Sequence, residues 1–293
     1  MQDQAIALAE QLEGAIFNCY LGGGHVDLQP ICNALHEGLE KEMPVYVLNQ
    51  DKKESDPSLH VYVYAEDAGS QDKKDRLERM SFQNVVDLWK KEGKGKELVI
   101  HAGEKKLSLT QKNLDRILSV EAKSCIVLIE GSVVDMHVDA IVNAANTSLL
   151  GGGGVDGAIH RAAGPLLLEE CRQLHGCKTG DAKITNAYDL RYVRRIIHTV
   201  GPVYCGKSED ATLLASCYQK SLDLAYENRM RSIAFPCIST GVYGYPLEEA
   251  SSIALETIAK WLGAHPSAIL NVYLCCYRKE EMKVYRKLIG QKS

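Results

Sequence analysis

Positive charge is not in excess in this chain: 34 Lys and Arg stand against 38 Asp and Glu, for a formal net charge of −4. A protein that holds nucleic acid through a broad basic surface needs the opposite balance. Nucleic acid is therefore not expected as a partner, although a local patch escapes such a count. Long apolar runs are also missing, and none reaches the ~20 residues that span a bilayer, so no membrane partner is expected. Met1 to Glu10 contains Asp3 and Glu10 and no basic segment, which is not the pattern of a secretory signal. A disulfide framework is not expected either. Ten cysteines are present, but they are scattered, several within apolar runs (Cys125, Cys237, Cys275, Cys276), and disulfide frameworks belong to small exported domains. The expectation is reduced thiols in a cytoplasmic protein. Cys171, His175 and Cys177 form the nearest approach to a metal cluster. Their spacing matches no standard zinc pattern and a fourth ligand is not evident. A helix end and turn is the plainer reading, and neither a metal nor another cofactor is expected.

The remaining composition, 45% hydrophobic and 25% charged, is that of a globular chain with material for one or two cores. Its two parts read differently. Ala5–Phe17 and Leu28–Leu39 carry apolar residues at helical spacing. Pro44–Leu48 and Leu59–Ala65 look like short strands, and Asp67–Lys74 like a polar connection. Ser81–Lys91 reads as a helix ending at Gly93 and Gly95. Glu97–His101 and Lys106–Leu109 make a hairpin around Gly103, followed by a short helix over Gln111–Leu118. Residues 1–118 thus form a small α+β module with no internal repeat and no chemical motif. His25, beside Gly22, Gly23 and Gly24, reads as loop, because that glycine run precedes no strand and fits no phosphate-loop context. Residues 119–124 are the expected linker. From 125 to 293 strands alternate with helices. The strands fall at Cys125–Ile129, Ala140–Val142, Ala182–Tyr188, Ile196–Val200, Ser232–Cys237 and Ile269–Cys275. The helices are Asp156–Leu174, Ala211–Tyr226, Leu247–Leu262 and Glu280–Ile289. This order implies an α/β domain: a mostly parallel sheet with helices on both faces. Ligands of such sheets sit beyond the carboxyl ends of the strands.

Two loops at such ends carry the informative residues. In the first, an apolar strand runs into Asn143, Ala144 and Asn146, then into Gly151, Gly152, Gly153 and Gly154, and a helix begins at Val155-Asp156-Gly157. Glycines let the backbone approach a ligand closely, and the helix start offers unpaired N–H groups and a positive dipole end for an anion. The second loop, Ser239-Thr240-Gly241-Val242-Tyr243-Gly244-Tyr245-Pro246, likewise joins a strand to a helix. Together they could bracket a diphosphate. Neither loop carries the lysine of a P-loop, and the metal-binding carboxylates of phosphoryl transfer are missing. Backbone amides would then hold the phosphates, which fits recognition of an intact diphosphate better than its cleavage. Asn143 and Asn146 offer donors and acceptors for a sugar. Asp156 lies in the first helical turn, where the dipole is expected to keep it ionised. It is then a weak base that orients a hydroxyl or water. Each residue also has a plainer reading. The asparagines could serve the turn, Asp156 the dipole, and the glycines a hinge. His160 and Arg161 read as packing or surface residues, and His198 as a satisfied core histidine.

The stretch Val138–Asn146, the run Gly151–Gly154 and the segment Val155–Gly164 resemble the signature of MacroD-type macrodomains. So do Gly180–Thr185, Ile196–Pro202 and Ser239–Pro246. The resemblance covers the chain from about Ser124 onward and does not reach the N-terminal module. It implies a three-layer α/β/α fold that binds ADP-ribose, with Asn146 and Asp156 as catalytic residues. It further implies that Asn143 and Asn146 contact the distal ribose and that Asp156 places the attacking water or the ribose hydroxyl. Ala144, Gly152, Gly153, Gly154 and Val155 face the ligand from one side, and Ser239, Thr240, Gly241, Val242, Tyr243 and Gly244 close the other. The family's usual Gly-Asp-Ile, whose Asp accepts from the adenine amino group, is here Gly131-Ser132-Val133. Ser132 can accept without the charge, so its contact is expected to be weaker. Tyr277 either stacks on adenine or fills the sheet edge as a buried aromatic.

By that resemblance the expected activity is removal of mono-ADP-ribose from acidic side chains of proteins, deacetylation of O-acetyl-ADP-ribose, or both. A non-catalytic ADP-ribose reader and an ADP-ribose-1″-phosphate phosphatase share the same pocket. The expected partners are ADP-ribose and mono-ADP-ribosylated proteins. The N-terminal module is a candidate for holding a protein partner, and a monomer is expected.

Overall fold

A computed structural model of the chain describes residues 2–21, 29–41, 43–48, 58–92, 97–103, 105–119 and 121–290. Gly22, Gly23, Gly24, His25, Gly93 and Gly95 lie outside the described residues. The chain divides into two compact units, one of residues 1–20 and 26–122, the other of residues 21–25 and 123–293.

The first unit contains α1 (Gln2–Leu21), α2 (Gln29–Glu40), β1 (Pro44–Leu48), β2 (Leu59–Tyr62), α3 (Gln71–Asp75) and β3 (Leu77–Ser81). It continues with α4 (Phe82–Glu92), β4 (Leu98–Ala102), β5 (Lys105–Leu109) and α5 (Gln111–Ser119). The sheet order is β3-β1-β2-β4-β5, with β2 and β4 parallel and the other neighbours antiparallel. Alternate residues of one face (Val45, Val47, Val61, Leu98, Ile100) pack with Leu12, Ile16, Leu35, Phe82 and Trp89 from the helices. Two features differ from the sequence reading. The connection over 67–74 holds a 3-10 turn (Ala65–Ala68) and α3, which Ser70 caps by accepting from the Lys73 amide. Strand β3 is charged and lacks β-branched residues, so propensity argues against it. It forms because all five of its residues pair with β1, from Pro44↔Ser81 to Leu48↔Leu77.

The second unit runs β6 (Cys125–Glu130), β7 (Val138–Ala144), α6 (Gly154–Ala163), α7 (Pro165–Gln173), β8 (Ala182–Asn186) and β9 (Val193–Thr199). It ends with α8 (Ser208–Glu227), β10 (Ser232–Phe235), α9 (Leu247–Ala264), β11 (Asn271–Cys276) and α10 (Lys279–Leu288). The six strands lie in the order β6-β11-β10-β7-β9-β8. All neighbours are parallel except the β8–β9 pair at one edge. The period of two sorts side chains between two cores. Ala140 and Val142 of β7 pack with Leu214 of α8, Ile258 of α9 and Tyr285 of α10. Ile141, between them, packs with Ile159 of α6 and Leu167 of α7. The unit is therefore the three-layer α/β/α fold with a mostly parallel sheet that the sequence implies. The single helix expected over 156–174 is two. Gly164 turns with φ 78°, and Pro165 takes the first position of α7, where its missing N–H and fixed φ are tolerated.

Candidate functional site

Beyond the carboxyl ends of the parallel strands β6, β7, β9, β10 and β11 the connecting segments part to leave a cleft of about 640 Å³. After β6 come Gly131, Ser132 and Val133. The β7–α6 loop gives Ala144 to Asn146 and Gly152 to Asp156. Gly201 follows β9, Pro236 to Tyr243 follow β10, and Cys275, Tyr277 and Arg278 come from the end of β11. The cleft thus gathers Asn146, Asp156, Ser132, Val133, Ala144, Gly152, Gly153, Gly154, Val155, Ser239, Thr240, Gly241, Val242, Tyr243 and Tyr277. Asn143 and Gly244 do not line it. Gly244 turns the second loop, with φ 67° and its N–H donated to the Gly241 carbonyl at 3.0 Å.

The first loop holds itself in shape through Asn146. Its Nδ2 donates to the Gly151 carbonyl at 2.8 Å, and its Oδ1 accepts from the Ser148 amide (3.0 Å) and hydroxyl (2.6 Å). Ser148 in turn accepts from the Leu150 amide, and Leu149 takes φ 60°. The loop then lies directly on α6. A Cβ on Gly157 would overlap the Gly152 carbonyl oxygen, so a side chain is excluded there by close approach.

Asp156, only 4% exposed, sits where loop and helix meet, and its two oxygens differ. Oδ1 accepts from Asn143 Nδ2 at 2.7 Å and lies 3.5 Å from His160 Nε2. Oδ2 lies 3.5 Å from Nδ2 of Asn146, which lines the cleft as Asp156 does. Burial pushes the Asp156 carboxyl above its usual 3.8, against the opposing pull of the Asn143 hydrogen bond and of His160. The shift is upward because burial penalises the charged form more than these two contacts favour it. The structure also relocates Asn143. That residue is fully buried and supports Asp156 from beneath instead of reaching a sugar. His160, read from sequence as packing or surface, is the third group at the carboxylate. His198 is a core histidine, as the sequence indicated, fully buried. Its Nδ1 lies 3.0 Å from Asn143 Nδ2 and its Nε2 2.9 Å from Thr185 Oγ1. Burial and then His160 lower its pKa to about 3.

The opposite wall is the second loop. Ser239 takes φ 65°, a conformation that costs a non-glycine residue roughly 1–2 kcal/mol. Its buried hydroxyl has no hydrogen-bond partner. Thr240 Oγ1 donates to the Cys237 carbonyl at 3.0 Å, and the Tyr245 amide ties back to the Ser239 carbonyl. Val242 is 99% exposed at the rim. At the far end Ser132 caps the 3-10 turn Val133–Asp135 by accepting from the Val134 amide. Tyr277 is 79% exposed, so it does not fill the sheet edge, and one ring face is available for stacking. Sequence reasoning missed Arg161, Gly201, Cys237, Ile238, Arg278 and Glu281 in this lining. Arg161 and Gly201 had a signal, since they lie within the quoted Val155–Gly164 and Ile196–Pro202 stretches. A Cβ on Gly201 would collide with Ser239 Oγ and Ile238.

The Macro domain family matches residues 142–254, the stretch that carries both loops. The human ADP-ribose glycohydrolase MACROD2 is 47% identical over 213 residues, which make up 71% of this chain and 47% of that relative. The chain thus spans about half of that protein's length. The macro domain-containing protein CT2219 of Chlorobaculum tepidum is 57% identical over 163 residues, 55% of this chain and 94% of the relative. Among solved structures, a Trypanosoma brucei macrodomain in complex with ADP-ribose is 50% identical, with TM-score 0.53, over 56% of this chain and 69% of that one. An Oceanobacillus iheyensis macrodomain with ADP is 40% identical, with TM-score 0.54, over 56% of this chain and 90% of that one. With the fold, both loops and a relative matched over nearly its whole length in agreement, this chain belongs to the macrodomain family.

Proposed function

We propose that this protein binds ADP-ribose and hydrolyses its ester links, releasing mono-ADP-ribose from acidic side chains of proteins and acetate from O-acetyl-ADP-ribose. The observation that carries the reading is Asp156, a buried, cleft-lining carboxyl with one oxygen anchored by Asn143 and the other beside Asn146. The names of the human relative, a glycohydrolase, and of the ADP-ribose-bound neighbour support it. In this reading adenine lies between Ser132 and Tyr277, and the diphosphate lies between the loops against the amino end of α6. The distal ribose then meets Asn146 and Asp156. Asp156 Oδ2 accepts a proton from water and turns its lone pair toward the ester. Water supplies hydroxyl to one product and hydrogen to the other, leaving ADP-ribose and a free carboxylic acid. The scheme uses protein groups and water alone. We place the protein in the cytoplasm as a monomer, with the N-terminal unit available for a protein partner. The test is a release assay on a protein carrying mono-ADP-ribose on glutamate.

A reader without turnover is the second reading, favoured by Asn146, whose side chain is already committed to the loop.

Two expected outcomes follow from the ends of the cleft. Ser132→Asp keeps the cap on Val134 and adds charge to the adenine contact. A charged acceptor is worth about 1 kcal/mol more than a neutral one, so calorimetry is expected to show ADP-ribose binding roughly fivefold tighter. Unchanged or weaker binding would take adenine away from Ser132. At the other end, turnover needs ionised Asp156. Because its carboxyl is raised above 3.8, kcat is expected to fall as pH drops through that raised value, on a limb above the usual aspartate range. The stability effect has the opposite sign. Between 3.8 and the raised value the native state holds the proton more tightly than the unfolded chain, so this group lowers stability as pH rises. A kcat profile flat down to 3.8 would contradict the assignment.

A further inference from the structure

Behind the cleft a hydrogen-bonded chain runs from β8 through β9 and β7 to Asp156, and chemistry fixes its direction. An ionised carboxylate only accepts, so the Asn143 atom 2.7 Å from Asp156 Oδ1 is the amide nitrogen. The same nitrogen lies 3.0 Å from His198 Nδ1, which therefore accepts, and the ring proton sits on Nε2. Nε2 donates to Thr185 Oγ1 at 2.9 Å, whose own proton goes to the Asn186 carbonyl at 3.1 Å. Asn143 Oδ1 is buried and has no partner, so the two donations from Nδ2 are what hold the amide in this orientation.

We propose that His198 is a positioning residue for hydrolysis: it locks the Asn143 amide with its nitrogen toward Asp156, which anchors Oδ1 and leaves Oδ2 to the cleft. The inference rests on the hydrolase reading of Asp156. Without an acceptor at Nδ1, the amide can turn over and set its oxygen against the carboxylate, a repulsive contact that disfavours ionisation. The other groups around the chain leave this lock to His198. Cys171 of α7 lies 3.8 Å from Nε2, on the side away from Asn143. His160 of α6 stands 6.3 Å away, centroid to centroid, and faces Asp156. Lys183, the cross-strand partner of His198, turns its ammonium to the Leu174 carbonyl.

The test uses the full chain with three substitutions. His198→Asn sets an amide oxygen near Nδ1 and still accepts. His198→Phe fills the space without an acceptor. Thr185→Val leaves Nε2–H unsatisfied and favours the tautomer whose Nδ1 proton faces the Asn143 nitrogen. ADP-ribose release is followed against pH, ADP-ribose binding by calorimetry, and the Asp156 carboxyl by 13C NMR titration. His198→Phe is expected to lower kcat about 100-fold, the scale of a misplaced catalytic group, with the dissociation constant nearly unchanged. It is also expected to move both the acid limb and the NMR titration to higher pH. Thr185→Val moves them the same way, and His198→Asn keeps most of the activity. An unmoved Asp156 titration in both His198→Phe and Thr185→Val would overturn the proposal. So would equal losses in His198→Phe and His198→Asn, or binding that falls in step with kcat. If the unaltered chain releases nothing, the hydrolase reading fails by itself, and the NMR titration still decides whether His198 governs Asp156.

Discussion

Asp156→Ala is expected to lower kcat for release of ADP-ribose by a factor of about 10²–10⁴, the usual contribution of a positioned acid–base group. The dissociation constant of ADP-ribose changes by less than about threefold, because the interaction lost is one made in the transition state. The geometry argues for this separation. The two loops proposed to bracket the diphosphate are rich in glycine, and they hold their shape through Asn146, Ser148 and the Tyr245–Ser239 bond. None of these contacts passes through Asp156. The substitution does leave one N–H of the Asn143 amide without an acceptor, which costs about 1–3 kcal/mol of stability, so a thermal melt belongs beside the kinetics. Asp156→Asn is the companion that keeps the volume while removing the charge. Equal loss of binding and turnover in both variants would make Asp156 a ligand contact instead.

The second large effect belongs to Gly157→Val. The new side chain would meet the Gly152 carbonyl and, at 3.1 Å, Arg161. Backbone cannot give way as a side-chain tip does, so the Gly151–Gly153 segment has to lift off α6. Such overpacking costs roughly 1–3 kcal/mol, a loss that leaves a domain of this size folded. The function is expected to be hit harder than the stability, because the lifted segment is the wall proposed for the diphosphate and the neighbour of Asp156. Calorimetry is expected to show ADP-ribose binding weakened more than about tenfold, since a shift of the order of 1 Å is enough to cost 100-fold in turnover. Near-wild-type binding in a folded variant would mean that the loop does not hold the ligand.

Much of the second unit was legible in the sequence for one reason: a parallel sheet buried on both faces writes itself as short apolar runs separated by helices. The loops were legible because glycine, asparagine and serine collect where a backbone must bend toward a ligand. What stayed hidden depends on neighbours distant in sequence. Asn143 looks like a sugar contact by type, yet it ends a strand whose side chains are covered by α6 and β9. His198, Thr185 and Cys171 come together only through the pairing of β8 with β9 and the packing of α7. The burial of Asp156 stayed hidden too, because helix position shows in a sequence and burial does not. The Gly164-Pro165 break was visible, but apolar spacing on both sides of it suggested one helix. Strand β3 had no signal of its own, since its partner β1 makes it a strand. Tyr277 carries two readings in the sequence, and its exposure removes that of a buried aromatic.

The most direct test of the hydrolase reading is incubation of the intact chain with a protein mono-ADP-ribosylated on glutamate, with the freed nucleotide identified by mass spectrometry. Release of intact ADP-ribose and recovery of the unmodified glutamate are expected. Absence of release, with ADP-ribose still bound in calorimetry, would contradict the hydrolase reading and leave a reader of the modification.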